Sequence, residues 1–328
     1  MRCIYFENGE LQPREAPIPR VEPEEALIKT SVVGICNTDI ELLKGYYGFR
    51  GVAGHEFVGT VAEAPQSPGL VGKRVVGDIN CGCGECEWCR WGDDRHCPER
   101  TVIGIKGRQG AFAEYLAVPQ KNLHVVVDSI ENEAAVFAEP LAAALEGAQQ
   151  IHIKARSRLA VLGDGKLGLL IALALRHYAP DLVLFGKHAE KMKIASEQGV
   201  RIQPAESWKG QTSYSNSQGF QGSFHIVVEA TGSPEGIGVA MDLAAPEGTV
   251  VVKTTSIQAS TVDLSRIVVN ELKIVGSRCG DLALALSFLR NGWVDVRPLI
   301  EAVYAFDDFQ EAFARAQRPG SKKVLLAF

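Results

Sequence analysis

The chain has no excess of basic residues. Its 34 Lys and Arg are outnumbered by 39 Asp and Glu, for a formal charge of −5, and no candidate helix face gathers Lys and Arg into a stripe. Nucleic-acid binding driven by phosphate neutralisation, including a zinc-ribbon module of that kind, is therefore not expected. Long apolar runs are missing too. The most apolar stretch, Leu167 to Leu175, is too short to span a bilayer and is closed by Arg176 and His177, so no membrane role is expected. The amino terminus meets Glu7 before a signal-length apolar stretch develops, which makes the cytoplasm the expected compartment. No internal repeat is evident. A chain of 328 residues, 46% of them hydrophobic, can bury a large core and is expected to divide into about two domains.

Cysteine, by contrast, is plentiful: eight in all, five of them within seventeen residues. In a chain this long, that clustering suits metal binding in a reducing compartment better than a disulfide framework. Cys83, Cys86, Cys89 and Cys97 have the spacing of a tetrahedral thiolate zinc site, in which a short loop wraps the ion at little entropic cost. Four protein ligands leave no open position, so such a site holds a lobe together and does no chemistry. Cys81, two residues before the tetrad, is a possible competitor. Cys3 and Cys279 read as structural.

Up to about Pro140 the pattern is of short apolar runs cut by Gly and Pro, such as Ala26-Leu27-Ile28 and Phe57-Val58-Gly59-Thr60-Val61, which predicts a mostly β lobe. Beyond it, helical stretches (141–150, 166–177) alternate with apolar strands (159–162, 182–185), the pattern of a parallel, doubly wound α/β sheet. Further strands are expected at 226–228, 249–252 and 272–275, each apolar enough to be covered on both faces. The stretch from Gln203 to Ser223 reads as a surface excursion. A helix over 282–289 and a closing strand over 323–326 follow.

Strand Leu159–Leu162 runs directly into Gly163-Asp164-Gly165-Lys166-Leu167-Gly168, which opens an apolar helix. In that context GxGxxG is a dinucleotide fingerprint. Gly163 permits the tight turn, Gly165 the approach of a pyrophosphate and Gly168 the packing of helix on strand, while the helix amino terminus faces the phosphates. An NAD site usually carries an acid at the end of the second strand. Here that strand ends in Gly186-Lys187-His188. Glycine leaves room, and Lys187 with His188 can neutralise a 2′-phosphate, so NADP is favoured over NAD, which stays possible. The plainer reading of Lys187 and His188 is as solvated loop residues.

Upstream lie Gly34-Ile35-Cys36-Asn37-Thr38-Asp39 and Gly54-His55-Glu56, and at the lobe boundary Glu139-Pro140-Leu141. One Cys, one His and two Glu form a donor set for a second zinc, although each alone would usually be a core or surface residue. Together with the cysteine loop, the glycine turn and Glu229-Ala230-Thr231-Gly232, these motifs resemble the zinc-containing medium-chain dehydrogenases of the alcohol dehydrogenase superfamily, over essentially the whole chain. The resemblance implies a GroES-like, mostly β catalytic domain from residues 1–141 and 279–328, with a Rossmann domain over 142–278. It also implies two zincs per chain and hydride transfer between an alcohol or polyol and a nicotinamide coenzyme. The catalytic zinc would be held by Cys36, His55 and either Glu56 or Glu139, with a position left open for substrate. Thr38 would pass the substrate proton outward and Asp39 would orient His55. Thr231 and Thr254 would lie near the nicotinamide, and a homodimer or homotetramer is expected.

Two departures stand out. Glu139 replaces the cysteine of simple-alcohol dehydrogenases, which points to the polyol, glucose and threonine branch. Glu41 stands where many relatives have the histidine that completes the proton relay. Tyr46, Tyr47 and Phe49 are candidates to line a substrate cleft or to pack between lobes. The competing reading of the whole is a zinc-stabilised NADPH-binding sensor or scaffold without turnover; an open metal site would be of no use to such a protein.

Overall fold

The computed structural model describes residues 1–208, 220, 222–255 and 258–328. They divide into two compact units: Met1–Glu139 with Leu282–Gly292 and Val296–Phe328, and Pro140–Asp281 with Trp293–Asp295.

The first unit is built on a seven-stranded sheet. Its order runs Leu123–Val125, Arg74–Gly77, Glu56–Glu63, Glu25–Ile35, Lys323–Ala327, Ile300–Ala305, and Tyr115–Pro119 also pairs with Glu25–Ile35. A three-stranded sheet is centred on Arg2–Glu7. Phe6 and Phe112 stack at 6.1 Å, and Phe313 of helix Phe309–Ala316 meets both edge-on at 5.6 and 5.2 Å. This aromatic knot fixes the C-terminal helix against the N-terminal strand.

Sheet register decides where the chemistry lies. Gly34 pairs with Glu56 and Ile35 with Val324. Because both neighbouring strands run antiparallel to Glu25–Ile35, they begin at the end where that strand finishes. Cys36, Glu56 and Lys323, distant in sequence, therefore arrive at one end of the sheet.

The second unit is a six-stranded, wholly parallel sheet in the order Arg201–Pro204, Val183–Gly186, Leu159–Leu162, Phe224–Glu229, Ala244–Val252, Lys273–Gly276. In chain sequence this is the 3-2-1-4-5-6 arrangement of a doubly wound sheet. Its switch point falls beside the first strand, where the glycine turn sits. Gly168 to Leu175 of helix Lys166–Leu175 are all buried, which explains that helix's unbroken apolar character. Phe185, Phe220 and Phe224 close one face.

The strand expected at 272–275 forms as Lys273–Gly276, but it is not covered on both faces. It is the outermost strand, with Ile274 at 41% exposure. Apolar content alone does not distinguish a central strand from an edge. The helix expected from Leu141 begins three residues earlier, at Ala138, so the change of texture at Pro140 falls inside its first turn, where proline is tolerated. Of the excursion expected from Gln203, residues 209–219 and 221 lie outside the described residues; Gln203 and Pro204 end a strand. Among the described residues, no helix is long and apolar enough to cross a membrane.

Candidate active site

In the first unit the donor atoms of Cys36, His55 and Glu56 all lie within 4.8 Å of one another. Cys36 follows strand Glu25–Ile35 in extended backbone and caps the helix Asn37–Leu43. Asp39, on the first turn of that helix and fully buried, accepts from the Cys36 amide at 2.8 Å and the Gly54 amide at 3.3 Å. Its carboxylate thus ties the cysteine turn to the turn that carries His55. Asp39 Oδ1 stands 3.3 Å from His55 Nδ1. Nδ1 is nonetheless a buried polar atom without a hydrogen-bond partner. Burial works against a charged His55 ring, but Asp39 and then Cys36 outweigh it and hold its pKa well above the ordinary value. A thiol, an imidazole and a carboxylate converging in this way, with an acid set beside the ring, form a donor set that suits zinc.

Lys323 was not singled out from the sequence. Its ammonium pairs with Glu56 Oε2, and the two side chains are only 4% and 1% exposed. Burial alone would lower the lysine pKa; Glu56, with Cys36 and Asp39, outweighs that and raises it. Gly34 makes the space, since a Cβ there would stand 2.5 Å from Glu56 Oε2 and 3.4 Å from Lys323 Cδ. A charged residue opening an otherwise apolar C-terminal strand was the available signal.

Glu139 is not part of the close cluster. It keeps some solvent exposure, yet burial pushes its carboxyl up to about 7, with Glu56 and Asp78 adding to the rise and His55 and Lys323 opposing it. It therefore shares the electrostatic neighbourhood of the cluster. Thr38 Oγ1 lies 3.8 Å from Cys36 Sγ. Glu41 is held by Lys44 at 2.8 Å on the surface. Phe49 packs edge-on against Phe6 of the same unit at 6.2 Å; the Tyr47 side chain lies outside the described residues.

The sulfurs of Cys83, Cys86, Cys89 and Cys97 also fall within 4.8 Å of one another. Those of Cys86 and Cys89 are 3.5 Å apart and those of Cys83 and Cys89 4.0 Å. Four sulfurs at about 2.3 Å from a zinc would be separated by about 3.8 Å, so the loop has the dimensions of a closed thiolate site. The amides of Glu85 and Cys86 donate to Cys83 Sγ at 3.5 and 3.4 Å and draw that thiol down to about 7. Burial and the neighbouring sulfurs push Cys89 upward instead, as expected where several thiolates crowd together and only a cation would let all of them ionise. Cys81 stands apart: it contacts Ile79 O and Asn122, and burial pushes its thiol up to about 11. Cys3 is buried and Cys279 half-buried.

In the second unit Gly163 has φ +106°, and a Cβ there would stand 2.5 Å from Ala230 O; at Gly168 it would stand 2.0 Å from Gly163 O. Nothing lies within 4 Å of where a Gly165 Cβ would be, leaving the helix start that carries Lys166 and Leu167 open to a phosphate. Glu229, 1% exposed, accepts from the Thr231 amide at 2.8 Å and from the Thr231 and Thr254 hydroxyls at 2.6 and 2.9 Å. It thereby brings the two threonines together at the carboxyl end of the sheet.

Gly186 does not provide free space. A Cβ there would stand 2.7 Å from both Asp164 Cβ and Met192 Sδ. The region beside the second strand is filled by the side chain of Asp164, a residue the sequence reading passed over as a variable position of the fingerprint. Lys187 and His188 follow it, their amides donating to Asp164 Oδ2 at 2.9 and 2.5 Å.

This combination of a cysteine-histidine-glutamate cluster, a four-thiol loop and a glycine turn on a doubly wound sheet defines a zinc-binding, dinucleotide-dependent oxidoreductase. Comparison with known proteins agrees. Residues 22–128 match the alcohol dehydrogenase GroES-like domain family. The chain is 29% identical to an L-threonine 3-dehydrogenase of Streptomyces avermitilis, with 99% of each covered. Among solved structures it resembles a protein of Sinorhizobium meliloti 1021 assigned as a zinc-binding dehydrogenase and bound to NADP (29% identity, 100% of this chain and 99% of that one, TM-score 0.89). It likewise resembles an alcohol dehydrogenase of Escherichia coli CFT073 complexed with NADH (25% identity, 100% and 99% covered, TM-score 0.90). Residues 22–128 thus resemble an alcohol dehydrogenase domain, and the chain as a whole is similar to zinc-binding and threonine dehydrogenases.

Proposed function

We propose that this protein is a zinc-dependent NAD(P) dehydrogenase interconverting a secondary alcohol or polyol with its carbonyl, with Cys36, His55 and Glu56 as the catalytic metal ligands. The observation that carries this reading is the convergence of their three donor atoms within 4.8 Å, beside Asp39 and Lys323. The fourth donor is Glu139 or the substrate oxygen. A zinc bound there supplies Lewis acidity, favouring the deprotonated form of an alcohol oxygen. The chain's own residues do the rest. Asp39 ties the Cys36 turn to the turn that carries His55, Lys323 pairs with the Glu56 carboxylate and fixes it, and Thr38 Oγ1 takes the substrate proton outward. Cys83, Cys86, Cys89 and Cys97 hold a second, structural zinc.

The unit containing Cys36 is the catalytic domain and the one containing Gly163 binds the coenzyme. Gly163, Gly165, Lys166, Leu167 and Gly168 cradle the pyrophosphate, and Thr231 and Thr254 adjoin the nicotinamide. NADP is favoured because no acidic side chain follows the second strand, whereas Lys187 and His188 do. Free thiols in a zinc loop suit a reducing cytoplasm. A homodimer or homotetramer is supported by the exposed Leu264, Val268, Val269 and Ile274, at 69, 74, 77 and 41%, an apolar patch on and beside an edge strand. The test is a metal count on the purified protein, paired with turnover of NADP and NAD against polyols, aldoses, threonine and secondary alcohols. Two zincs and turnover on any member are expected. One zinc, tight NADPH binding and no turnover would sink the assignment.

A further inference from the structure

The second Rossmann strand ends without an acid, yet an acid is delivered to the same place from the glycine turn. Asp164 is 6% exposed and its carboxylate is crowded with donors. Oδ2 accepts from the Lys187 and His188 amides at 2.9 and 2.5 Å, His188 Nδ1 stands 3.0 and 3.1 Å from the two oxygens, and Lys191 Nζ is 4.0 Å from Oδ1. We propose that Asp164 is the positioning residue for coenzyme choice: it clamps the turn 186–188 and fixes the His188 imidazole so that this ring, with Lys187, recognises a 2′-phosphate. The proposal rests on the NADP reading above and deepens it.

The geometry supports the assignment in three ways. The Lys187 and His188 amides stand where the chain enters helix Ala189–Glu197, and such amides are the usual donors to an anion at a helix start. Here Asp164 has already taken these two, so Lys187 and His188 can meet an anion only through their side chains. Burial opposes ionisation of Asp164, but His188 and Lys191 outweigh it and hold its carboxyl below the ordinary value. Nδ1 faces the carboxylate, so Nε2 is the ring atom left to meet a ligand. The His188 side chain is 48% exposed and accessible for that purpose. Finally, the negative charge of Asp164 is matched by His188 and Lys191 instead of facing an incoming phosphate alone, unlike the exposed acid of an NAD site.

The experiment is titration calorimetry of zinc-loaded, full-length protein with adenosine 2′,5′-bisphosphate and with 5′-AMP, for wild type, Asp164→Asn, His188→Gln and the double variant. Wild type is expected to prefer the bisphosphate. Each single variant should cut that preference about tenfold, the scale of one charge-assisted hydrogen bond, and leave AMP affinity within about twofold. The double variant should lose no more than either single one. If both probes weaken equally in Asp164→Asn, the residue is merely structural and the proposal falls. Wild type that prefers the bisphosphate while either variant keeps its full preference overturns the proposal but not the NADP reading; wild type without preference overturns both. Should Asp164→Asn not fold, His188→Gln decides, because an unchanged preference there removes the side chain that Asp164 is held to position.

Discussion

Replacing Lys323 with Met keeps most of its aliphatic bulk and removes the counter-ion of Glu56. Both partners are almost wholly buried, at 4% and 1% side-chain exposure, so the variant leaves a carboxylate in a poorly solvated site. Breaking a buried pair from one side costs about 3–5 kcal/mol. For a unit of this size that corresponds to a fall of roughly 10 °C in its melting transition. The pH dependence distinguishes this cause from a packing defect. Lys323 has a raised pKa in the folded protein, so its contribution is complete below the ordinary lysine value of about 10.4 and is lost only as pH rises through the folded value. Wild-type stability should therefore owe no slope to this pair between pH 6 and 9. In the metal-free variant the buried Glu56 carboxylate has lost its counter-ion, and burial favours its neutral form. The folded state then binds more protons, and stability falls as pH rises. Scanning calorimetry of the metal-free proteins, in which no ion shares Glu56, should show a larger deficit at pH 9 than at pH 6, and Glu56→Gln in the Lys323→Met background should recover at least half of it. A deficit under about 2 °C, equal at both pH values and unrelieved by the second change, would refute the view of Lys323 as the counter-ion of Glu56.

Cys36→Ala or His55→Ala should abolish turnover while NADPH affinity, measured by fluorescence titration, stays within about twofold; surviving turnover would exclude the zinc mechanism. Cys89→Ser should lower the melting temperature of the zinc-loaded protein and release about one zinc per chain, because a three-thiol remnant no longer encloses the ion. An unchanged melting temperature would mean that the loop is not a closed site. Gly186→Asp, on the usual sequence rule, would turn the enzyme toward NAD. The 2.7 Å approaches to Asp164 Cβ and Met192 Sδ instead predict a destabilised protein, by about 1–3 kcal/mol, with both coenzymes bound more weakly. A clean gain of NAD preference at unchanged stability would show that the turn rearranges more freely than its packing suggests.

What the sequence revealed and what it concealed have a common cause. Motifs within a few residues of each other were legible because local spacing already encodes their geometry: the four-cysteine loop, the glycine turn and Cys36 with Asp39 each lie on one short stretch of chain. Strand alternation likewise exposed the parallel sheet, though not its edge, since exposure of Ile274 depends on which strand has no further neighbour. Lys323 and Glu56, 267 residues apart, could be paired only through the register that sets Val324 beside Ile35 and Glu56 beside Gly34. Asp164 was hidden differently. The fingerprint treats its position as free, and the coenzyme rule looks for an acid about twenty residues later. The chain satisfies neither expectation separately; it moves the acid one strand back, buries it and sets it against His188 and Lys191. A rule that reads charge at a fixed sequence position registers only a missing acid, whereas the electrostatics at the turn depend on which carboxylate reaches it and which cations meet it there. The proposed role of the Asp164–His188 contact in coenzyme choice is therefore tested more directly by the bisphosphate titration than by any substitution at Gly186.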